Sequence, residues 1–315
     1  MTNSQPDTLY HYTDTNSLMS ILRTQTLWAT DAIYLNDTRE IRYGIKKFKQ
    51  VLNSYTPTND AESWAVRAAS VQIDDIEKSL YDGDSRRVYV TCFSEKSDSL
   101  SQWRGYGSSG SGFAIGFDRK LLADLRYDVE SVVDPLKIIH TSMRDDLESA
   151  MSSIVDPFGI DRFNSKSIVG WAKTFDVYPV EYGNKKARSA CDSLVESIVE
   201  DRSITGLPKQ WPQIFIATVG VERLCLIKDK SFKDEREWRV VVAEFLRKPI
   251  PEFRSNATLG VVPYIVLKLP PNAIKSIVVG PGRHANIRGE SVKQLLAQLG
   301  IADVEVINSE VPFRS

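Results

Sequence analysis

The chain has 315 residues with 40 Lys and Arg against 41 Asp and Glu, a formal net charge of −1, so no global basic field draws it to nucleic acid or to an anionic membrane. Its longest apolar stretches, such as Ile214 to Val221, are too short to span a bilayer, and Met1 to Asp7 carries neither a basic region nor an apolar run, which predicts a cytoplasmic protein without a membrane partner. Cys92, Cys191 and Cys225, like His11, His140 and His284, lie scattered without ligand or disulfide spacing, so neither a metal site nor a disulfide framework is expected.

Such a length can bury a large core, and the pattern reads as one domain, 1–315, with helical insertions at about 38–84 and 141–227. Leu9-Tyr10-His11-Tyr12-Thr13 reads as a strand with Leu9, His11 and Thr13 on one face. Asp14-Thr15-Asn16 offers caps, and Leu18, Ile21 and Leu22 follow at helical spacing; Leu27 to Thr30 reads as a second strand. A helix through Glu40, Ile41, Ile45, Phe48 and Leu52 and another from Trp64 to Leu80 make up the first insertion.

Val88 to Ser94 is strongly strand-prone and runs into a short helix in which Leu100 and Trp103 face inward. Ser94, Arg104 and Tyr106 stand where that strand ends and a loop begins, a place where sites are built. Gly107 to Gly112, all Gly and Ser, predicts a mobile loop. Gly105-x-Gly107-x-x-Gly110 matches a dinucleotide fingerprint as a string, but a helix precedes it and the strand Phe113 to Phe117 follows, the reverse of the order that brings a pyrophosphate to a helix N-terminus.

A helix through Leu121, Leu122 and Leu125, a strand from Val129 to Val133, two helices between 141 and 175 that include Trp171, an edge strand from Val177 to Tyr182, and helices over Lys185 to Val199 and Ile214 to Ile227 are expected next. Lys185, Lys186 and Arg188 read as a solvated helix face. In Phe232 to Val242, read as one strand, Glu235, Glu237, Arg239 and Val241 share a face. The C-terminal part reads strand, Gly280-Pro281-Gly282 turn, helix from Asn286 to Leu299, strand, hence a parallel crossover.

Three stretches together, Leu9 to Thr13, Cys92 to Tyr106 and Glu235-Arg236-Glu237, resemble the ADP-ribosyltransferase superfamily. The chain also resembles an uncharacterised bacterial family of unknown function carrying the same His-Tyr-Thr, Leu-Ser-x-Trp-x-x-Tyr-Gly and Phe-x-x-Glu-x-Glu-Trp-Arg stretches. The superfamily resemblance implies an α+β fold with a mixed, split β-sheet, NAD as substrate and no metal. It implies Glu237, Glu235 and His11 as catalytic candidates and His11, Tyr12, Thr13, Ser94, Arg104, Tyr106 and Arg239 as NAD contacts. Tyr12 stands where members with this histidine often carry glycine, and Tyr106, Tyr12 or Phe93 would be the ring stacked on nicotinamide.

The chemistry suits these residue types. Breaking the bond between nicotinamide and ribose develops an oxocarbenium-like sugar that a fixed carboxylate stabilises, a second carboxylate can orient the acceptor, and Arg104, Arg239 or Arg283 can meet the pyrophosphate. The expected function is an NAD-dependent ADP-ribosyltransferase of a toxin or phage-defence kind, with a macromolecular acceptor (nucleic acid or protein) and an antitoxin or defence partner. The alternatives are an NAD glycohydrolase and a non-catalytic ligand-sensing or protein-interaction module of the same fold.

Overall fold

The computed structural model describes residues 5–35, 40–80, 87–107, 111–132, 170–173, 176–200, 216–243 and 247–312. Over these the chain is a mixed α+β structure built on a 13-stranded sheet. It opens with β1 (Thr8–Thr13), α1 (Thr15–Thr24) and β2 (Thr26–Asp31). Asp14 caps α1 by accepting the Ser17 N–H at 2.7 Å, and Leu18, Ile21 and Leu22 are buried on one side of the helix, each burial stabilising by about 1.5–3 kcal/mol. Next come α2 (Glu40–Ser54), α3 (Asp60–Ser79), β3 (Val88–Ser94), α4 (Leu100–Gly105), β4 (Phe113–Asp118) and β5 (Arg126–Val132).

The sheet divides at β3. One edge of β3 is paired along its whole length with β10 (Glu237–Ala243), from Glu237 opposite Ser94 to Ala243 opposite Val88. Its other edge is shared: β2 pairs at Tyr89 and Val90, whereas β1 pairs at Ser94 through Tyr10, so β1 and β2 part from each other beside Thr91, Cys92 and Phe93. From β1 the sheet continues through β4 to β14 (Ile274–Val279) and β15 (Glu305–Asn308). From β2 it continues to β13 (Gly260–Lys268) and β5.

Strand alternation assigns the faces. Leu9, Phe93, Phe113, Ile115, Phe117 and Trp238 share one core with α1 and with Val292 and Leu296 of α6 (Ala285–Gln298). Val88, Val90 and Val241 point the other way, into a second core with α2, α3 and α5 (Gly183–Glu200). The C-terminal reading holds: β14 and β15 pair in parallel with α6 between them.

Several expectations are corrected. Leu121–Asp124 is a 3-10 turn rather than a longer helix, and β5 begins at Arg126. Trp171 lies in a strand, β6 (Gly170–Lys173), which pairs with β5. The run from Val177 to Tyr182 is two short strands: β7 (Tyr178–Pro179) lies against the outer edge of β10, and β8 (Glu181–Tyr182) pairs in parallel with β9 (Ile227–Lys228). Pro179 sits at that outer edge, as a residue without an N–H must. Where a helix was expected to continue to Ile227, a π turn at Ile216–Gly220 gives way to one helical turn at Val221–Leu224 and then to β9. The apolar run there is short, and periodicity alone does not tell a buried strand from a helix in such a run.

The strands β11 (Arg247–Pro249), β12 (Glu252–Asn256) and β13 lay outside the elements read from sequence; β12 and β13 form a hairpin closed at Gly260, whose φ is 75°. The expected helices before residue 170, the middle of the Gly/Ser loop and the turn at 36–39 fall outside the described residues. No helix among the described residues is long and apolar enough to cross a membrane.

Candidate active site around Glu237

The stretch read as one strand bends before it becomes one. Lys230–Glu235 is a 3-10 helix capped by Asp229, whose carboxylate accepts the Ser231 N–H at 3.0 Å. Arg236 then adopts a left-handed conformation, φ 44° and ψ 52°, uncommon for a residue with a Cβ and of the kind that gathers at functional sites. Strand β10 starts only at Glu237. Glu235 therefore does not share a strand face with Glu237, as expected from sequence.

A buried lysine brings the two carboxylates together instead. Lys228 Nζ donates to Glu235 Oε2 at 2.7 Å and to Glu237 Oε2 at 3.0 Å, with its side chain 4% exposed against 19% for Glu235 and 8% for Glu237. Arg239, two residues on and on the same face as Glu237, donates from Nε to Glu237 Oε1 at 2.8 Å and from Nη2 to Oε2 at 2.9 Å. Its Nη1 donates to the Cys225 carbonyl at 2.6 Å. The Cys92 thiol adds a further hydrogen bond to Glu237, and the Glu237 N–H donates to the Tyr182 hydroxyl at 2.8 Å. Burial by itself raises a carboxyl pKa, but the Arg239 and Lys228 charges and these hydrogen bonds outweigh it and bring Glu237 down to about 2. The group is ionised throughout the ordinary pH range.

Tyr106 caps the end of α4, 42% exposed and within electrostatic range of Glu235, Lys228 and Glu237. Burial of its hydroxyl end and the negative charge of Glu235 push its pKa up to about 12, so it is a neutral phenol beside two carboxylates. Ser94 is buried, and its Oγ donates to the Glu235 carbonyl at 2.7 Å while accepting the Lys96 N–H at 3.1 Å. That ties the end of β3 to the 3-10 helix. Arg104 lies exposed on α4, which packs against residues 230–235.

Other candidates are placed elsewhere. Because Tyr10 is the β1 partner of Ser94, and Ser94 is the partner of Glu237, alternation sends Tyr10 to the face of Glu237 and sends His11 and Thr13 to the opposite one. His11 lies edge-on to Phe93, ring centroids 5.9 Å apart, and its Nδ1 donates to the Cys92 carbonyl at 2.9 Å. Burial lowers its pKa, and the ring ties β1 to β3 beside the place where β1 and β2 part. Arg239 is committed to Glu237 and Cys225, so it orients the carboxylate and has no fork left for a pyrophosphate. Arg283 is exposed, and Arg288 rather than Arg283 holds the Gly280-Pro281-Gly282 turn, donating to the Gly280 and Gly282 carbonyls and to that of Ser111 at 2.6 Å.

Tyr12 is a brace. Its hydroxyl donates to the Lys96 carbonyl at 2.8 Å and accepts the Ser99 N–H at 3.1 Å, and its ring meets Trp103 edge-on at 4.6 Å. Tyr12→Phe leaves a buried N–H and carbonyl without that partner and is expected to lower stability by about 1–3 kcal/mol. Thermal unfolding checks the loss; an unchanged melting temperature contradicts the brace.

Lys228, Cys92 and Tyr182 were missed as site residues. Lys228 opens the charged run Lys228-Asp229-Lys230 after the apolar Leu224-Cys225-Leu226-Ile227, so nothing in the local pattern set it apart from a solvated turn. Among the described residues no group of three or more His, Cys, Asp or Glu side chains is arranged to hold a metal.

Residues 102–240 match a family model described as "Protein of unknown function (DUF2971)". The expected resemblance to an uncharacterised family is borne out over that stretch. It runs from α4 to the middle of β10 and so contains Tyr106, Lys228, Glu235, Glu237 and Arg239, whereas β1 with His11 lies outside it. No curated protein and no solved structure matches the chain.

Proposed function

We propose that the chain is an NAD-dependent ADP-ribosyltransferase with a split sheet of the type found in that superfamily, acting as a toxin or defence effector on a macromolecular acceptor. One observation carries the reading: Glu237, held ionised down to about pH 2, lies within electrostatic range of the half-exposed Tyr106, at the end of β10 near the place where the sheet parts. Nicotinamide stacks on Tyr106. The bond between its ring nitrogen and ribose C1′ breaks, the electron pair leaves with nicotinamide, and the positive charge left on the sugar is stabilised by the Glu237 carboxylate.

Arg239 fixes that carboxylate from two donors, and Lys228 links it to Glu235, the more exposed of the two acids. Glu235 takes the proton from the incoming nucleophile. His11 enters this reading as a tie between β1 and β3 through Cys92, and Arg104, exposed on the helix that packs against residues 230–235, meets the pyrophosphate. Glu235→Ala is accordingly expected to abolish attachment of label from NAD to a polymer of a cell extract while nicotinamide release into water persists. If wild type and Glu235→Ala release nicotinamide equally and neither labels a polymer, the activity is NAD hydrolysis.

A second reading rests on the saturation of Glu237. Arg239, Lys228 and Cys92 all donate to it, so the cluster also suits a non-catalytic module in which the acid is a structural ion pair. NAD bound without release of nicotinamide by the wild type favours that module.

A further inference from the structure

Away from Glu237, the helical side of the molecule holds a groove of about 230 Å3 between α2 and α5, lined by Lys47, Gln50, Val51, Asn184 and Arg188. Their spacing explains the lining. Lys47, Gln50 and Val51 stand at i, i+3 and i+4 on α2, and Asn184 and Arg188 at i and i+4 on α5, so each set lies on one helix face. The walls are two cations and two amides over one apolar floor residue, with no carboxylate among them.

The contacts these groups make are long. Lys47 Nζ reaches Gln50 Oε1 at 3.5 Å, Arg188 Nη2 reaches Ser54 Oγ at 3.5 Å, and Arg188 Nε stands 3.8 Å from Asp192. The Tyr43 hydroxyl donates to Asn184 Oδ1 at 3.4 Å, and Lys47 lies 5.2 Å from the Tyr43 ring centre. Charge-assisted hydrogen bonds run at about 2.7–2.9 Å, so none of these is one. Neighbouring cations are better paired: Lys186 meets Glu181 at 3.1 Å, and Lys49 is held by Asp74 and Glu77. Asp229 lies within electrostatic range of Lys47, but its carboxylate is capped by the Ser231 N–H and hydroxyl at 3.0 and 2.9 Å. Lys185 adds positive charge in the first turn of α5, at the positive end of that helix.

We infer that this groove binds the phosphate group of a small phosphorylated ligand. Lys47 and Arg188 clasp its oxygens, Gln50 and Asn184 turn their amide N–H groups to it, and Val51 floors the space beneath. No group of the Glu237 cluster lines the groove, so the inference stands apart from the transferase reading. It also gives Arg188, which sequence alone assigns to a solvated face, a ligand to hold.

The test is calorimetric titration of the full chain with pyrophosphate, and with AMP, at low ionic strength. A saturable site that Arg104→Ala leaves intact, and so distinct from the proposed NAD cleft, is expected, weakening as salt rises. Lys47→Ala with Arg188→Ala is expected to weaken binding at least about tenfold, since each removes a charge-assisted contact. Lys46→Ala with Arg67→Ala, two exposed cations off the groove, is the control and is expected to leave affinity unchanged. Tighter binding of AMP than of pyrophosphate marks a nucleotide; equal affinity marks the phosphate alone. Absence of saturable binding, or equal weakening by the control pair, overturns the site.

Discussion

Glu237→Gln is expected to slow nicotinamide release from NAD by about a hundredfold or more, the scale on which loss of one preorganised electrostatic group acts. Gln keeps the size of the side chain and much of its hydrogen bonding but not the charge that meets the developing cation of the sugar. The same change leaves Lys228 and Arg239 buried beside a neutral group, and an unbalanced buried charge destabilises by about 3–5 kcal/mol. Turnover is therefore measured on protein whose circular dichroism shows it folded at the assay temperature, with NAD affinity measured alongside. Retained affinity with lost turnover is the expected pair of results. Unchanged turnover moves the reacting carboxylate to Glu235 or elsewhere.

Arg239→Met is expected to affect stability as strongly as Glu237→Gln. The guanidinium is fully buried and supplies two of the donors to Glu237, so its loss is expected to cost about 3–5 kcal/mol and to lower the melting temperature by about 5–10 °C. The pH dependence has a definite sign. The folded pKa of Glu237, about 2, lies below the ordinary 4.5, so the unfolded chain binds the proton more readily. Stability from this group is fully present above about pH 4.5 and is lost as pH falls toward 2, by about 3 kcal/mol in all. In Arg239→Met the acid-side loss is expected to shrink, because the charge that depresses the pKa has gone. Acid unfolding curves of the two proteins check this, and parallel curves contradict it.

How much of this was legible depended on local pattern. The spacing of Leu18, Ile21 and Leu22 and the cap at Asp14 fixed α1, and the β-branched run before Ser94 fixed β3, because in each the intrinsic preference and the buried face agree. Glu237 and Arg239 were correctly read as neighbours on one strand face, since alternation is a local rule. Glu235 was not, because the left-handed Arg236 breaks the strand and a single residue of positive φ has no signature when it is not glycine. Lys228 was invisible as a partner of both acids, since it comes to them through the pairing of β9 with β8, a contact that the order of residues alone does not reveal. The placing of His11 failed for a related reason. Its strand was read correctly, but the face it shows depends on the register of β1 against β3, and a shift of one residue would exchange it with Tyr10.

The most direct test of the central claim, that NAD is cleaved against Glu237 at the parting of the sheet, is a crystal structure of Glu237→Gln soaked with NAD. The predicted result is a nicotinamide ring stacked on Tyr106, with ribose C1′ facing residue 237 and Glu235 beside it. NAD bound on the opposite face of the sheet with His11, or a Tyr106 and residue 237 left untouched at saturating NAD, contradicts it.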